Sequence, residues 1–198
     1  MKREEVLELF SKYKAYLEGH FLLTSGLHSP HYFQCARVLQ YPEAAERLGR
    51  ALGEKISAAL GGEVPAAVIS PAMGGLIIGH ELGRALGCRA IFVERMDGSM
   101  RLRRFDLEPG EKVVVVEDVV TTGGSFLETV KVAEEAGCKV LAACCLIDRS
   151  GGGSKFSPAL TSLVEVEVVN YRPEDCPLCG QGVPLVKPGS RNTVKKGF

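Results

Sequence analysis

Hydrophobic positions along the chain fall into two patterns, short apolar runs and longer stretches with helical spacing. The apolar runs predict strands near residues 66–69, 90–93, 113–116, 139–147 and 163–169. Helical spacing predicts helices near residues 4–17, 42–60, 76–86 and 124–136. Because strands alternate with helices, the pattern predicts an α/β fold whose mostly parallel sheet is covered by helices on both faces.

The segments between these elements have the composition of turns and loops. Gly19 is expected to end the first helix, and residues 21–41 are expected to be extended and irregular. Asp97-Gly98 is a hairpin-turn signal. The glycines at 151–153 predict a mobile loop, and the tail, rich in Pro, Gly and Cys, is expected to be irregular.

The carboxyl ends of the predicted strands direct attention to one edge of the sheet. Ligands of parallel sheets collect at this edge. Its strand tips are Ser70, Glu94, Glu117 and Asp148. Residues with binding or catalytic chemistry follow all four tips, so the sequence predicts a site at this edge.

Glu117 and Asp118 directly follow four valines, and a small, hydroxyl-rich turn, Thr121–Ser125, comes next. Backbone N–H groups of such a turn can bind a phosphate at a helix N-terminus, and the two carboxylates can accept hydrogen bonds from ribose hydroxyls. The alternative, a surface acid pair that caps a loop, leaves the turn unexplained. The glycine spacing fits neither a Walker loop nor a dinucleotide-binding fingerprint. The pattern indicates a sugar-phosphate site.

Two further loops and one strand end carry groups that suit anions. Pro71–Gly75 is small and glycine-rich, so it either meets a second anion or forms a tight turn. Arg149 forms either a surface ion pair or a contact with a substrate carboxylate. A hairpin at Asp97-Gly98 could close over the site and exclude water. Its arginines are either solvated or available to phosphate oxygens: Arg95, Arg101, Arg103 and Arg104.

Composition and charge narrow the functional classes. The chain has 198 residues, enough for one domain with a core, and its 24 basic residues balance 24 acidic ones. This neutrality argues against nucleic acid and membranes as partners. Because apolar runs fall short of the roughly 20 residues of a membrane span and the charged N-terminus lacks a signal peptide's apolar core, a cytoplasmic location is expected.

Seven cysteines are distributed along the chain. Five have apolar or strand-like contexts and are expected to be buried free thiols: Cys35, Cys88, Cys138, Cys144 and Cys145. Cys176 and Cys179 form a C-x-x-C pair, which is half a zinc site or else a structural turn, and a dimer could combine two such pairs. The four histidines have no metal-like spacing and receive no role.

The segment Val115–Ser125 resembles the phosphoribosyl pyrophosphate (PRPP) motif of type I phosphoribosyltransferases. The hairpin from Glu94 to Arg104 and the Cys-Pro-Leu-Cys tail are similar to the shorter bacterial branch of the orotate phosphoribosyltransferases, typified by thermophile members. Four other segments are similar to that family in order and spacing: Leu23–Gly26, Ser29–Phe33, Pro71–Gly75 and Leu146–Arg149. The likeness covers nearly the whole chain.

The resemblance implies the type I phosphoribosyltransferase fold, a twisted, mostly parallel sheet flanked by helices with a small hood. It implies one domain over residues 1–198, with a hood from about 1–40 plus the C-terminal segment and a core over about 42–170. The implied reaction joins orotate to the ribose of PRPP, giving orotidine 5′-monophosphate and pyrophosphate in pyrimidine biosynthesis. Mg²⁺ would bind the pyrophosphate, and a homodimer would share active sites through the hairpin.

The same resemblance implies residue roles. Asp118, Glu117 and Arg95 are the catalytic group, with the two acids on the ribose hydroxyls. The residues implied for PRPP are Glu117, Asp118, Val119, Val120, Thr121, Thr122, Gly123, Gly124, Ser125, Ala72, Met73, Gly74, Arg95, Arg101 and Arg103. The residues implied for orotate are Ser25, Tyr32, Phe33, Thr121 and Arg149, with Arg149 on its carboxylate. The Ala72–Gly74 loop is also a place for a non-proline cis peptide.

The chain departs from the family pattern where many members carry lysine. These positions are Thr24, Met73, Met96 and Ser99. Losing cations should weaken a site for a highly charged substrate, because each charge-assisted contact contributes about 1.5–3 kcal/mol. Our hypothesis is that three hairpin arginines supply the missing charge: Arg101, Arg103 and Arg104.

Other functions stay open from the sequence. One alternative is a purine phosphoribosyltransferase, against which Arg149 and the N-terminal signature argue. Another is a regulator that senses PRPP without catalysis, which the missing lysines favour. An interaction protein without such a site would leave the Glu117–Ser125 motif unexplained.

Overall fold

The structure is a computed structural model that describes residues 1–23, 25–151, 156–167 and 169–188. Its main sheet has six strands in the order β5-β4-β3-β6-β7-β8. All neighbours pair in parallel except β5, which pairs antiparallel to β4. These strands are β3 (Ala67–Pro71), β4 (Arg89–Met96), β5 (Ser99–Arg101), β6 (Lys112–Val120), β7 (Lys139–Asp148) and β8 (Leu160–Glu165). The predicted α/β class and the Asp97-Gly98 hairpin are confirmed.

Helices cover both faces of this sheet, as predicted. They are α3 (Pro42–Leu60), α4 (Gly75–Leu86) and α5 (Gly124–Glu135). On β6, Val114 and Val116 belong to the core cluster formed with α3 and α4, whereas Val113 and Val115 belong to the cluster formed with α5. Because side chains alternate across a strand, a run of valines is what a strand buried on both faces requires.

The ends of the long helices agree with their sequence signals. Pro42 begins α3, where its missing N–H costs no hydrogen bond. Gly61 and Gly87 follow α3 and α4 with φ of 59° and 68°, the left-handed conformation that glycine adopts without strain. No helix within the described ranges is both long and apolar enough to cross a membrane.

The N-terminal prediction is partly wrong. Helix α1 (Arg3–Lys12) ends well before Gly19, because Lys14 adopts a φ of 53° and the Ala15 N–H donates to the Phe10 carbonyl. An antiparallel pair follows, β1 (Tyr16–Leu22) and β2 (His28–Phe33), where an irregular segment was expected. Tyr16 and Phe33 stack across this pair, so a tertiary contact overrides the helical spacing.

A short helix, α2 (Ala36–Leu39), connects this antiparallel pair to α3. The last strand of the sheet is also displaced from its predicted position, to Leu160–Glu165 instead of 163–169. Four of the five cysteines expected to be buried are buried, and Cys88 is half-buried. Of the predicted glycine loop, Gly152 and Gly153 lie outside the described residues, as does Thr24.

The C-terminal segment, residues 169–188, packs along both strands of the N-terminal pair. Phe21 bridges to Val186 in parallel, and His28 bridges to Tyr171 in antiparallel fashion. Between these bridges the segment forms a 3₁₀ turn (Pro173–Asp175) and a four-residue helix, α6 (Pro177–Gly180). The prediction of an irregular tail therefore misses two short elements and two backbone bridges.

Candidate functional site

The two acids lie on β6, which extends past them to Val120. Pairing with β7 continues through Val119 and Val120, so the acids are held on a strand rather than at its tip. Glu117 is buried and Asp118 half-buried. The Asp118 N–H donates to Glu117 Oε1 (3.1 Å), and the Val119 N–H donates to Asp118 Oδ1 (2.9 Å). The backbone thus fixes both carboxylates.

Burial raises the pKa of Glu117, and the neighbouring Asp118 charge raises it further. Burial also raises the pKa of Asp118. The free site is therefore unfavourable for two negative charges. A ligand that brings hydroxyl donors or a cation would relieve this cost.

The segment after β6 forms a turn at the start of α5. Gly123 caps this helix with a φ of 77°, and its carbonyl accepts a hydrogen bond from the Leu127 N–H. Among described residues, no backbone or side-chain acceptor is found for the N–H groups of Thr122, Gly123, Gly124 and Ser125. Successive free donors at a helix N-terminus form an anion-binding arrangement.

The glycine loop after β3 packs directly against the acids. A Cβ on Gly74 would lie 2.8 Å from Asp118 Oδ1, and one on Gly75 would lie 3.3 Å from Glu117 Oε1. Larger residues at these two positions would therefore crowd the carboxylates. The peptide between Ala72 and Met73 is cis, as the resemblance allowed, and Met73 is 79% exposed.

Arg95 reaches the same region from β4. Its guanidinium makes two contacts with Glu128 of α5, at 3.0 Å and 3.1 Å, and lies 3.5 Å from Ser125 Oγ. This ion pair lowers the pKa of Glu128. Glu128 was not among the residues predicted from the sequence, although it lies one helical turn after Ser125 and so shares its face of α5. Arg95 therefore lies beside the turn at the N-terminus of α5.

The other hairpin arginines differ in how they are held. Arg104 makes a two-pronged contact with Glu94 at 2.8 Å and 3.2 Å, and Arg103 lies 4.0 Å from the same carboxylate. Arg101 is exposed, and its Nε donates to Ser99 Oγ at 3.4 Å. The hypothesis that these arginines replace the missing lysines stays a prediction. Among the described residues, Arg101 is the one of the three whose guanidinium contacts no carboxylate.

Arg149 lies at the end of β7, where its backbone N–H donates to the Val120 carbonyl. One guanidinium nitrogen donates to Ser29 Oγ at 3.4 Å, and the guanidinium carbon lies 5.9 Å from the centre of the Phe33 ring. Its Nε is buried and has no partner among the described residues. Burial lowers the pKa of Arg149. A buried donor without an acceptor is available to a ligand that offers hydrogen-bond acceptors, such as a carboxylate.

The other residues expected to bind a base belong to the N-terminal pair. Tyr32 is half-buried, and its pKa is raised by burial and by the charge of Asp118, with Arg149 acting in the opposite direction. Tyr32 is thus close enough to both Asp118 and Arg149 to feel their charges. Phe33 is buried in the core, where it supports Arg149 rather than lining an open surface. Ser25 lies in the exposed turn between β1 and β2.

Cys176 and Cys179 lie at a separate place, against the N-terminal pair. They meet two histidines of the same chain, His20 and His28. Sequence spacing gave these histidines no role, because they lie some 150 residues away from the cysteines along the chain.

Comparison with protein families identifies one match. The phosphoribosyl transferase domain model matches residues 35–176. Full-length relatives give a narrower match. The orotate phosphoribosyltransferase of Heliobacterium modesticaldum is 52% identical over 192 residues, covering 96% of this chain and 100% of that protein. That of Rhizorhabdus wittichii is 52% identical over 195 residues, covering 98% and 99%.

Solved structures are similar as well. An orotate phosphoribosyltransferase from Aeropyrum pernix superposes with a TM-score of 0.61 at 27% identity, covering 81% of this chain and 93% of that chain. An adenine phosphoribosyltransferase from Saccharomyces cerevisiae superposes with a TM-score of 0.64 at 17% identity, covering 80% and 99%. Because enzymes for different bases share the fold, the fold alone does not determine the base.

Proposed function

Because the chain belongs to the phosphoribosyl transferase domain family and, within it, to the orotate phosphoribosyltransferases, we propose that this site transfers the phosphoribosyl group of PRPP to orotate. The products are orotidine 5′-monophosphate and pyrophosphate, a step of pyrimidine biosynthesis. The observation that carries the assignment of the base is the buried Nε of Arg149, which has no partner in the described part of the chain and suits the orotate carboxylate.

The donor substrate binds along β6 and the turn after it. The free N–H groups of Thr122–Ser125 bind the 5′-phosphate, and the helix dipole of α5 favours its charge. The carboxylates of Glu117 and Asp118 accept hydrogen bonds from the ribose 2′- and 3′-hydroxyls. These donors satisfy the acids in a place where burial disfavours two unpaired charges.

The pyrophosphate of PRPP lies against the glycine loop and Arg95. The absent side chain of Gly74 leaves Asp118 Oδ1 approachable from the loop, and Arg95 supplies a cation beside Ser125. The carboxylate oxygens of Glu117 and Asp118 are hard ligands, and together with the glycine loop they suit PRPP bound as its Mg²⁺ complex. The ion supplies neutralisation of the departing pyrophosphate oxygens.

Orotate binds between the N-terminal pair and the end of β7. Arg149 forms charge-assisted hydrogen bonds to the carboxylate, with Phe33 packed beneath its guanidinium and Ser29 holding one nitrogen. Tyr32 closes the space between the base and the acids. Ser25 and Thr121 complete the pocket in this proposal.

The reaction needs no covalent nucleophile from the protein. The bond between C1′ and the pyrophosphate oxygen breaks as N1 of orotate bonds to C1′, and the proton on N1 passes to a departing pyrophosphate oxygen. Positive charge develops on the ribose ring while these bonds exchange. Asp118 and Glu117 hold the ring hydroxyls and face that charge, while Arg95 balances the leaving group. Catalysis then depends on orientation and on exclusion of water by the hairpin of β4 and β5.

We also propose a cytoplasmic homodimer in which this hairpin reaches the neighbouring site. The exposed Arg101 supports this arrangement, because its charge has no carboxylate partner among the described residues. Mixing Arg101→Ala and Asp118→Asn subunits tests it. Assayed at PRPP concentrations well below the wild-type KM, purified hybrid dimers should be more active than dimers of either variant, since one of their two sites has both groups intact. Activity no higher than that of either variant would contradict a shared site.

The domain boundaries follow the same proposal. The hood comprises about residues 1–40 and the C-terminal segment, and the core comprises about residues 42–170. The two backbone bridges between the N-terminal pair and the C-terminal segment support this grouping.

An absorbance assay tests the proposed reaction directly. The protein is mixed with orotate, PRPP and Mg²⁺, and the loss of orotate is followed, with adenine, hypoxanthine and uracil in parallel. Of the four bases, only orotate is expected to be turned over. Preference for a purine would contradict the role of Arg149, and PRPP binding without turnover on any base would identify a regulator instead.

A further inference from the structure

Four potential metal ligands converge where the C-terminal segment meets the N-terminal pair. The ligand atoms of His20, His28, Cys176 and Cys179 all lie within 4.8 Å of one another. His20, His28 and Cys176 are buried, and Cys179 is exposed. None of these four residues belongs to the proposed orotate or PRPP site.

The distances between these atoms match a tetrahedral zinc site. His20 Nε2 and His28 Nδ1 are 2.9 Å apart, and three sulfur–nitrogen distances are 3.3, 3.4 and 3.7 Å. A tetrahedron with zinc–nitrogen bonds of about 2.0 Å and zinc–sulfur bonds of about 2.3 Å has nitrogen–nitrogen edges of ~3.3 Å and sulfur–nitrogen edges of ~3.5 Å. An ion at the centre requires only small side-chain adjustments.

The second ring nitrogen of His20 supports the same conclusion. His20 Nδ1 lies 2.8 Å from the Val183 carbonyl oxygen. A carbonyl can only accept a hydrogen bond, so Nδ1 carries the proton and Nε2 presents a lone pair to the cluster. Metal-binding histidines are commonly oriented in this way by a backbone carbonyl.

We propose that His20 Nε2, His28 Nδ1 and the sulfurs of Cys176 and Cys179 bind one zinc ion. Two thiol protons are released, and the two thiolates balance the charge of the ion, so the buried site is neutral overall. Protein side chains fill all four coordination positions of the ion, which is typical of a structural rather than a catalytic zinc site. Softer sulfur ligands together with imidazole favour zinc over Mg²⁺.

The site would fasten the C-terminal segment to the orotate side of the active site. Cys176 and Cys179 lie between the two backbone bridges that join this segment to β1 and β2. His28 is directly followed by Ser29, whose Oγ accepts a hydrogen bond from Arg149. Zinc loss is therefore expected to loosen the strand that positions Arg149, as well as to destabilise the fold.

Metal content of the purified full-length chain is the first measurement. Protein produced without a metal-affinity step and dialysed against buffer is analysed by inductively coupled plasma mass spectrometry. One zinc per chain is expected. Cobalt substitution should give the visible absorption of a tetrahedral Co²⁺ site together with a thiolate-to-cobalt charge-transfer band. These measurements need no variant, so they hold even where a substitution prevents folding.

Variants then assign the ligands. Cys176→Ser and His20→Ala should each lose the bound zinc. Cys176→Ser should also lose the thiolate-to-cobalt charge-transfer band, whereas His20→Ala should lose or shift it. The Tm of each variant should be several degrees below that of the wild type. Cys88→Ser and His80→Asn are matched controls outside the cluster and should keep one zinc per chain. Retention of zinc in Cys176→Ser would contradict the assignment.

The opposite result for the wild type is equally clear. A chain that stays free of zinc and gives no cobalt band after incubation with either ion would show that the four residues form only a hydrogen-bonded cluster. A Cys176–Cys179 disulfide in freshly purified protein would overturn the proposal too.

Discussion

The proposed PRPP side and the proposed orotate side of this site are built in opposite ways. Acids and phosphate donors lie on one continuous segment, Glu117–Ser125, held by a strand buried on both faces. The orotate side joins Arg149 to Ser29, which is 120 residues away along the chain. In the proposed function, the chemistry common to phosphoribosyl transfer is thus encoded locally, whereas recognition of the base depends on how β1 and β2 pack against the end of β7.

The largest expected effect is on the locally encoded side. Asp118→Asn keeps the shape of the side chain but removes the charge that faces C1′, so kcat should fall by about 10²–10³-fold. The assay is loss of orotate at saturating PRPP and orotate. Asp106→Asn, an exposed acid outside the site, is the matched control and should retain full activity. Near-normal turnover in Asp118→Asn would contradict the role of this carboxylate.

The orotate side should respond differently. Arg149→Gln removes a charge-assisted contact of about 1.5–3 kcal/mol, so KM for orotate should rise by roughly 10- to 100-fold while KM for PRPP changes little. Arg47→Gln, an exposed arginine on α3, controls for loss of a cation. Equal increases in both KM values would mean that the two sides are not separable as described.

A smaller effect is expected at the hairpin of β4 and β5. Arg101→Ala should raise KM for PRPP by about 3- to 10-fold, because this guanidinium is not paired with a carboxylate within the described ranges. Arg104→Ala should have less effect, since its charge is already paired with Glu94. If all three variants, including Arg103→Ala, had unchanged kinetics, the hypothesis of replaced lysines would fail.

The smallest effect has the opposite sign, a gain in stability. Folding raises the pKa of Glu117 above the usual 4.5, so the folded protein binds more protons than the unfolded chain as pH rises above that value. Stability should therefore fall with rising pH, and Glu117→Gln should remove part of that fall. At pH 8 we expect its Tm to exceed the wild type by roughly 3–5 °C, measured without ligand.

Glu134→Gln on the exposed face of α5 is the control and should leave Tm and its pH dependence unchanged. A lower Tm for Glu117→Gln at pH 8 would show that the buried carboxylate stabilises the free protein after all.

The difference between the two sides also explains what could be predicted from the sequence. Helices α3, α4 and α5 and the valine strand were predictable because burial imposes a period on consecutive residues. The Glu117–Ser125 site could be proposed from the sequence because the residues that carry its chemistry are contiguous. The hairpin of β1 and β2 was not, since Tyr16 and Phe33 pair only once the chain has folded.

Contacts between residues far apart along the chain could not be predicted from the sequence for the same reason. His20 and His28 have no metal-type spacing with each other, and only the return of the C-terminal segment brings Cys176 and Cys179 to them. Glu128 as the partner of Arg95 likewise depends on how α5 packs against β4 and β5. Such contacts are visible only in the tertiary structure, although the C-x-x-C pair already indicated two of the four potential metal ligands.

A crystal structure of the complex with Mg²⁺–PRPP tests the central claim most directly. The account predicts the 5′-phosphate within hydrogen-bonding distance of the N–H groups of Thr122–Ser125, with the ribose hydroxyls on Glu117 and Asp118. A well-ordered ligand bound elsewhere, with this turn empty, would contradict it.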